Sequence, residues 1–322
     1  MSLRLAAVSV DLDPLRCYHQ IHGLPPPDVA GDPSLADVVL RRGLPRFLEL
    51  FDRFRLQSTL FVVGSDAVPG SPGRALLAEA AAAGHELGNH SHTHPYELAR
   101  LGRAAIDREL DDCDAVLRDL HPRGLAPRGF RSPGYELSPA LFAALAARGY
   151  SYDSSLFPCP PYYLAKLGVL GRMALTGRRS ASIVGTPWAQ LGPTQPYRPD
   201  AARPWRRGDA SLVELPVAVT PRLRLPAIGG SLLVSERLRQ LLLRGMRGQA
   251  FFNLELHGLD LMDAAGDGLP AALRARQPDL RVPLADKLAA LSEILTFLRE
   301  HCAVVPLCEV AEIVQRQGGI GR

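Results

Sequence analysis

The sequence predicts an α/β protein with a mainly parallel sheet, either open or closed into a barrel. Short apolar runs of strand length alternate along the chain with longer segments whose apolar residues recur at helical spacing. The 322 residues also suffice for one large α/β domain with a single core, although two smaller domains would fit the same length.

The individual elements are predicted from residue type and from the turn residues that follow them. The run 5–10 is apolar, as in a buried strand, and 58–63 is rich in β-branched and aromatic residues. Gly84 and Gly149 are placed to end helices. Further strands are predicted near 129–130 and at 212–219, 250–256 and 303–307. Helices are predicted at 35–54, 75–83, 104–120, 139–147, 235–247 and 284–300, and in the last part of the chain.

One segment, 159–211, interrupts this alternation. It is rich in Pro, Gly and Arg, shows weak periodicity, and is too long for a plain connection. We interpret it as an insertion over the sheet ends, within one catalytic domain that covers residues 1–322.

Composition and charge exclude several classes of protein. The formal net charge of +4 is too small for a general nucleic-acid binder. No apolar run is long enough to predict a transmembrane helix, and the N-terminus lacks the pattern of a secretory signal. The five cysteines are scattered and form no CxxC pair. Reduced thiols in a cytoplasmic protein are therefore expected.

Polar residues follow four of the predicted strands, where a parallel sheet places its chemistry. Asp11 and Asp13 follow the first strand, 90–94 follows a short HELG segment, Arg131 follows Phe130, and His257 follows Leu256. This distribution predicts a catalytic site built from several strand ends.

The stretch GHELGNHSHTHP indicates a metal site. His90 and His94 are four residues apart and would share a face on a helical turn. A His, His, Asp set leaves coordination positions open for water and substrate, which is typical of catalytic sites. One of Asp11 and Asp13 could bind metal while the other acts as a base, and the residues alone do not assign them. His85 and His92 are expected at supporting or surface positions.

Five motifs in order resemble those of the polysaccharide deacetylases, the NodB-homology group also called carbohydrate esterase family four. They are SVDLD, GNHSHTHP, FRSPGY, YDSS and LELHG, and they span roughly residues 5–260. The resemblance implies a distorted (β/α) barrel of about seven strands and a hydrolase that acts on non-peptide C–N bonds. It implies Asp13, His90 and His94 as ligands of a divalent metal, with zinc expected first and cobalt, nickel, manganese and iron as alternatives.

The same resemblance assigns the catalytic groups. Asp11 would be the general base and His257 the general acid, and Arg131 would orient or charge-pair the base. Asp153 would either orient His257 or pair with Arg131. No serine lies in a GxSxG turn, so a serine hydrolase is not expected.

A backbone N–H near Gly134, beside Tyr135, would help to hold the oxyanion. Tyr18 and His19 follow the metal aspartate and are further candidates to line the pocket. The chain departs from the commonest family pattern, since Leu12 separates the two aspartates, Gly134 precedes Tyr135, and Ser154 follows the aspartate of YDSS. The opening resembles a subgroup with D-x-D or D-x-E that includes intracellular enzymes acting on substrates other than long polymers.

These observations predict removal of an N-acyl group, acetyl or formyl, from an amino sugar. The aromatic and arginine residues of 159–211 suggest a lid for a phosphate-linked or lipid-linked sugar, with peripheral membrane contact possible. Two alternatives stay open, a hydrolase of other linear or cyclic amides and a carbohydrate-binding relative without activity.

Overall fold

The computed structural model describes residues 4–317, so the predicted domain of 1–322 extends at both ends beyond the described range. The strands are β1 Leu5–Asp11, β2 Thr59–Val62, β3 Glu86–Asn89, β4 Gly129–Phe130, β5 Tyr152–Asp153, β6 Pro199–Asp200, β7 Arg203–Arg207, β8 Val213–Glu214, β9 Phe251–His257 and β10 Ala303–Val304. The α-helices are α1 Leu15–Ile21, α2 Leu44–Arg53, α3 Arg74–Ala82, α4 Arg103–Leu120, α5 Pro139–Ala147, α6 Pro160–Leu175, α7 Gly229–Leu232, α8 Glu236–Met246, α9 Ala271–Arg274, α10 Leu284–His301 and α11 Leu307–Gln317.

The main sheet is parallel and curled. β9 pairs with one edge of β1, and the order continues from the other edge of β1 through β2, β3, β4 and β5 to β8. The short β10 pairs with the start of β1. The chain after β8 returns to β9, where the Ala218 N–H donates to the Asn253 carbonyl at 3.1 Å. The curled sheet confirms the predicted distorted (β/α) barrel.

Burial of both faces explains why the central strands carry almost continuous apolar runs. All seven residues of β1 are buried, and the first six of β9 are buried as well. The helices cover the outside of the sheet through apolar faces, and α2, α8 and α10 contribute to the largest core cluster. This packing leaves the carboxyl ends of the strands as one edge on which polar groups can meet.

Several elements were not predicted from the sequence, and others are shorter than predicted, such as the strand at 212–219, which is observed as Val213–Glu214. α1 begins directly after Pro14, and α6 lies inside the segment 159–211 together with the β6–β7 hairpin. The predicted helix 35–54 is broken, since a π-turn at Val39–Gly43 precedes α2. Among the described residues, no helix is both long and apolar enough to cross a bilayer.

Candidate active site

The site is built where β1, β3, β4 and β9 end. Asp11 and His257 are the last residues of neighbouring parallel strands and are register partners. His90 follows directly on β3, and Arg131 follows directly on β4. The sheet therefore brings together Asp11 and His257, which are 246 positions apart in the chain.

A tight turn, and not a helix, carries the two histidines. Ser91 and His94 both have a positive φ of 62°. The Ser91 N–H donates to Asn89 Oδ1 at 2.7 Å, and the His94 N–H donates to Ser91 Oγ at 3.0 Å. Glu109 of α4 accepts the N–H groups of His92 and Thr93 at 2.9 and 2.8 Å. The prediction that His90 and His94 share a face of a helical turn is thus wrong. Hydrogen bonds from backbone N–H groups to side chains fix the turn, and the two imidazoles converge because of it.

Asp13, His90 and His94 form a buried three-atom cluster. Asp13 Oδ1 lies 3.1 Å from His90 Nε2 and 3.2 Å from His94 Nε2. His90 Nδ1 donates to the Arg131 carbonyl at 2.7 Å, which leaves its Nε2 lone pair facing Asp13. His94 Nε2 is buried, and although Asp13 Oδ1 is close to it, it makes no hydrogen bond of normal geometry among residues 4–317. Burial raises the pKa of Asp13, but the two imidazoles outweigh it and hold this pKa well below its usual value.

This donor set fits a divalent metal ion. Two imidazole nitrogens and one ionised carboxylate converge on a single point, and the unpartnered His94 Nε2 would otherwise be costly to bury. His92 and His85 lie outside the cluster. His85 Nδ1 instead accepts the Ser58 N–H at 3.1 Å at the start of the strands.

Asp11 is held by a fully buried arginine. Arg131 Nη1 donates to Asp11 Oδ1 at 2.7 Å and to Ser9 Oγ at 3.0 Å. Arg131 Nε and Nη2 donate to the carbonyl and hydroxyl oxygens of Ser154. The Cζ atom of the guanidinium lies 4.3 Å from the centroid of the Phe61 ring. Asp11 Oδ2 lies 3.9 Å from His90 Nε2 and so faces the cluster of Asp13, His90 and His94. One carboxylate oxygen is therefore used for orientation and the other points into the site.

His257 is paired with Glu255, a residue that sequence reasoning missed. His257 Nδ1 lies 3.0 Å from Glu255 Oε1, which also accepts the Tyr135 hydroxyl at 2.7 Å. The signal was present in LELH, because residues two apart on a strand point to the same face. Burial lowers the pKa of His257, but Glu255 and Asp13 outweigh it and raise this pKa to about 9.

Asp153 makes neither of its two predicted pairings. His257 is turned to Glu255, and Arg131 reaches the next residue of the fourth motif, Ser154. Asp153 Oδ1 instead accepts a hydrogen bond from the Ser155 hydroxyl, which in turn accepts the Ser132 N–H at 2.8 Å. The physical reason is strand alternation, which directs Ser154 and Asp153 to different neighbours.

A second carboxyl group explains how Asp153 can be buried. Its register partner on β8 is Glu214, and both side chains are fully enclosed. Burial raises the pKa of Asp153 to about 6, and burial together with Asp153 raises the pKa of Glu214 well above its usual value. The raised pKa values favour the protonated forms of these carboxyl groups, and Asp153 supports the Ser132 turn through the Ser155 hydroxyl.

The turn Pro133–Tyr135 offers a candidate oxyanion donor. Gly134 and Tyr135 have positive φ values of 68° and 66°. The Tyr135 N–H already donates to the Ser132 carbonyl at 3.1 Å, so the Gly134 N–H is the candidate. A Cβ atom at Gly134 would lie 3.2 Å from the Tyr96 ring, which packs edge-on against His94. Glycine is required here by both its φ and this close approach.

The residues after Asp13 take separate positions. Tyr18 is buried, and burial together with the charge of Asp13 raises the pKa of its hydroxyl. That hydroxyl has no hydrogen-bond partner in the described part of the chain, so it is available in the wall of the site. His19 is turned away, with Nδ1 2.5 Å from the Pro25 carbonyl.

The inserted segment crosses from the β5 side of the site to α1. Tyr162 of α6 packs against the ring of Tyr135, with 6.2 Å between centroids. Further along, Ser180 Oγ donates to the Ile21 carbonyl at 2.6 Å, and the Ala181 N–H donates to the Gln20 carbonyl at 3.1 Å. The segment is thus attached on both sides of the strand ends.

The arginines of 159–211 that form two adjacent pairs in the sequence, Arg178 with Arg179 and Arg206 with Arg207, lie in two separate places. Arg178 donates to the His22 carbonyl beside α1. Arg206 and Arg207 lie on β7, in the β6–β7 hairpin. Gln195 holds the chain that leads into this hairpin. Gln195 accepts the N–H of Phe251 at 2.9 Å, at the opposite end of β9 from His257. The arrangement therefore does not support one clamp made from all four.

Comparison with known proteins shows which family the chain resembles. Residues 36–152 match the family model described as polysaccharide deacetylase. The peptidoglycan deacetylase of Helicobacter pylori is 27% identical over 217 residues, which cover 66% of this chain and 64% of that protein. These matches confirm the resemblance to polysaccharide deacetylases predicted from the five motifs.

Other relatives agree with this resemblance. The chitooligosaccharide deacetylase of a Bradyrhizobium species is 34% identical over 114 residues, covering 34% of this chain and 50% of that protein. The matches thus span between 50% and 64% of the length of these two relatives.

Solved structures establish the fold. A Mycobacterium smegmatis structure classed as a polysaccharide deacetylase has a TM-score of 0.58 at 22% identity, covering 100% of this chain and 94% of that one. The Puue allantoinase structure has a TM-score of 0.56 at 16% identity, with 96% and 90% covered.

Proposed function

We propose that this protein is a metal-dependent hydrolase that removes an N-acyl group from an amino sugar. The observation that carries the proposal is the pairing of Asp11 and His257 across β1 and β9 beside the Asp13, His90 and His94 cluster. Each catalytic side chain has its own orienting partner, Arg131 for the first and Glu255 for the second. The curated relatives are named for removing acetyl groups from peptidoglycan or chitooligosaccharides, which supports this substrate class.

Amide hydrolysis needs an activated water, a polarised carbonyl and a proton for the departing amine. A divalent ion held by Asp13, His90 and His94 would supply the first two, by lowering the pKa of water and by acting as a Lewis acid. Asp11 takes one proton from the attacking water through Oδ2, because Oδ1 is engaged by Arg131. The Gly134 N–H donates to the developing oxyanion, a contribution typically of about 3 to 4 kcal/mol.

His257 completes the reaction as a general acid. As the new C–O bond forms and the C–N bond breaks, His257 gives its proton to the leaving nitrogen. Glu255 keeps the imidazole charged and orients it, and the Asp260 side chain accepts the backbone N–H of His257 at 2.9 Å. The products are a carboxylic acid and an amine, and no side chain becomes acylated.

A narrow cavity of about 30 Å³ beside the Gly134 turn is lined by side chains that suit contact with a sugar. Tyr162 and Tyr163 of α6 contribute aromatic surface, and Glu136 and Gln190 contribute polar groups. Burial raises the pKa of Glu136 to about 7, although the charges of Lys166 and Arg100 oppose this change. Such a carboxyl group can accept or donate hydrogen bonds to sugar hydroxyls near neutral pH.

The decisive experiment is a substrate panel on the purified, metal-loaded protein. We expect released acetate or formate from N-acylated amino sugars, tested as chitooligosaccharides, sugar phosphates and lipid-linked sugars. Asp13→Ala is the inactive reference. Hydrolysis of cyclic amides in place of acyl sugars would support the alternative amide hydrolase, and sugar binding without acid release would support an inactive relative.

The unpaired cysteines agree with our further proposal of a reducing, cytoplasmic location.

The metal assignment makes a direct prediction. Wild-type protein should bind one divalent ion, with zinc expected first, and His90→Ala should lose it on dialysis because one of three ligands is removed. His92→Ala is the matched control, because His92 lies in the same turn but outside the cluster. Metal content measured by elemental analysis checks this, and equal content in wild type and His90→Ala would contradict the ligand assignment.

The Glu255–His257 pair makes a prediction for pH dependence. The acid must be protonated, so activity falls as pH rises through the pKa of His257. Glu255→Gln removes the nearest negative charge, so this pKa decreases and the alkaline limb of the kcat/KM profile moves to lower pH. Tyr135→Phe removes only the hydroxyl that donates to the same Glu255 oxygen. Glu255 should then stay charged at alkaline pH, and the alkaline limb should move less than in Glu255→Gln. An unmoved limb in Glu255→Gln would show that another group supplies the proton.

A further inference from the structure

Helix α6 has a composition that its surroundings do not explain. Around its circumference it carries tyrosine, leucine, valine, alanine and methionine, and its charged side chains are Lys166 and Arg172. A helix that is apolar on all sides is normally buried in a core or in lipid. Of the side chains of α6, all of which lie in the described range, Met173 is the buried one. Leu164 is 65% exposed and Leu175 is 91% exposed.

The exposed apolar residues continue onto neighbouring turns. The Tyr163 hydroxyl donates to the Gly185 carbonyl at 3.5 Å, just before the turn Pro187–Leu191. Arg224 donates to the Gln190 carbonyl at 2.6 Å, which places the 221–224 turn beside it. We call the exposed apolar side chains of these three segments the apolar rim, namely Leu164, Leu167, Val169, Leu175, Trp188, Leu191 and Leu223.

The segments that carry the apolar rim contain charged residues of one sign. No acidic residue occurs in the sequence from 154 to 199 or from 215 to 235. Arg172 and Arg179 are exposed, and Arg222 precedes Leu223 in its turn. Exposed apolar side chains in segments whose charged residues are all basic match the chemistry of an anionic bilayer, whose headgroups attract each nearby arginine and whose acyl region accepts leucine and tryptophan.

We propose that the apolar rim binds the surface of an anionic phospholipid bilayer, with α6 lying in the interface. A second copy of the chain is a poorer occupant. A two-fold interface would place the same patch against itself, so Arg172 and Arg179 would face their own copies without acidic partners. The bilayer supplies the missing negative charge.

The position of α6 gives this contact a consequence for the site. Tyr162, Tyr163 and Lys166 line the cavity beside Gly134, while Leu164, Leu167 and Leu175 on the same helix face outward. A bilayer against the apolar rim would therefore lie next to the entrance of that cavity. If the proposed function holds, a lipid-linked amino sugar could enter without leaving the membrane surface.

Vesicle binding by the full, metal-loaded chain tests the proposal. We expect it to sediment with vesicles of phosphatidylcholine mixed with phosphatidylglycerol, to do so poorly with pure phosphatidylcholine, and to bind less as salt is raised. Leu164→Ser/Leu175→Ser should lower partitioning by about tenfold or more, because two apolar side chains are lost from the interface. Arg172→Ala/Arg179→Ala should lower it by about fivefold for each arginine.

Matched variants elsewhere on the surface control for general effects. Leu125→Ser/Leu241→Ser removes two leucines that are 48% and 58% exposed outside the rim, and Arg237→Ala removes an exposed arginine of α8. These variants should bind vesicles as the wild type does. In a Trp205→Phe background the emission of Trp188, the remaining tryptophan of two, should shift to shorter wavelength on anionic vesicles.

Several results would contradict binding of the apolar rim to an anionic bilayer. Absence of wild-type sedimentation, equal binding to neutral and anionic vesicles, or unchanged binding in both rim variants overturns the proposal. Loss of self-association in Leu164→Ser/Leu175→Ser, measured by analytical ultracentrifugation without vesicle binding by the wild type, would instead assign the rim to a second copy. These measurements follow binding alone, so their outcome is independent of whether the proposed hydrolysis is found.

Discussion

Asp11→Asn should keep its metal and lose roughly two to four orders of magnitude in turnover, the usual range for removal of a general base. The asparagine keeps the size of the side chain and can still accept from Arg131 Nη1, but it cannot take a proton from water. Metal content and kcat measured on the same preparation check this. Asp153→Asn is the matched control, since that aspartate is as buried as Asp11 but contacts Ser155 in place of the metal cluster or His257, and this variant should keep most of the activity.

Two results would change the assignment. Loss of metal in Asp11→Asn would mean that Asp11 and Asp13 have exchanged roles. A loss in Asp153→Asn as large as that in Asp11→Asn would mean that the Ser155 and Ser132 turn contributes far more to catalysis than its contacts indicate.

Arg131→Met should destabilise the fold by about 3 to 5 kcal/mol, because removing one member of a buried ion pair leaves the other charge without a partner. Arg131 is fully buried and its donors go to Asp11, Ser9 and Ser154. The free energy of unfolding from urea titration measures the loss. The double variant Arg131→Met/Asp11→Asn should regain part of it, since the uncompensated carboxylate is then gone.

The double variant also separates charge from packing. If it is as unstable as Arg131→Met alone, the cost comes from the lost contacts with Phe61 and Ser154 and not from Asp11. If Arg131→Met is as stable as the wild type, the guanidinium is not the charge partner that holds the base.

Much of the strand-end chemistry could be predicted because parallel strands make it local. Each of Asp11, Arg131 and His257 stands at or directly after an apolar run, so a reader of the sequence can find them without knowing the fold. The order of the five motifs then indicated the family resemblance, which the comparisons confirm. Glu255 could have been found by the same reasoning, because it is two residues before His257 on one strand.

The partners of these residues could not be predicted in this way. Whether Asp153 meets Arg131, His257 or neither depends on how β4, β5 and β9 are placed around the barrel, and the sequence does not give that placement. The position of α6 was missed for a related reason. Its two glycines and two initial prolines weaken the helical pattern, and its apolar residues have no periodic face.

The sequence by itself determined the fold class, the family resemblance and the types of residue at the strand ends, because these follow from local runs, spacing and motif order. Only the tertiary structure decided which carboxylate orients which cation, since strand register and curvature set those distances across 100 or more residues, as between Asp11 and Arg131. It also decided that an apolar helix stays exposed beside the site. Burial is a property of the whole packing, and no local pattern in α6 records what lies next to it.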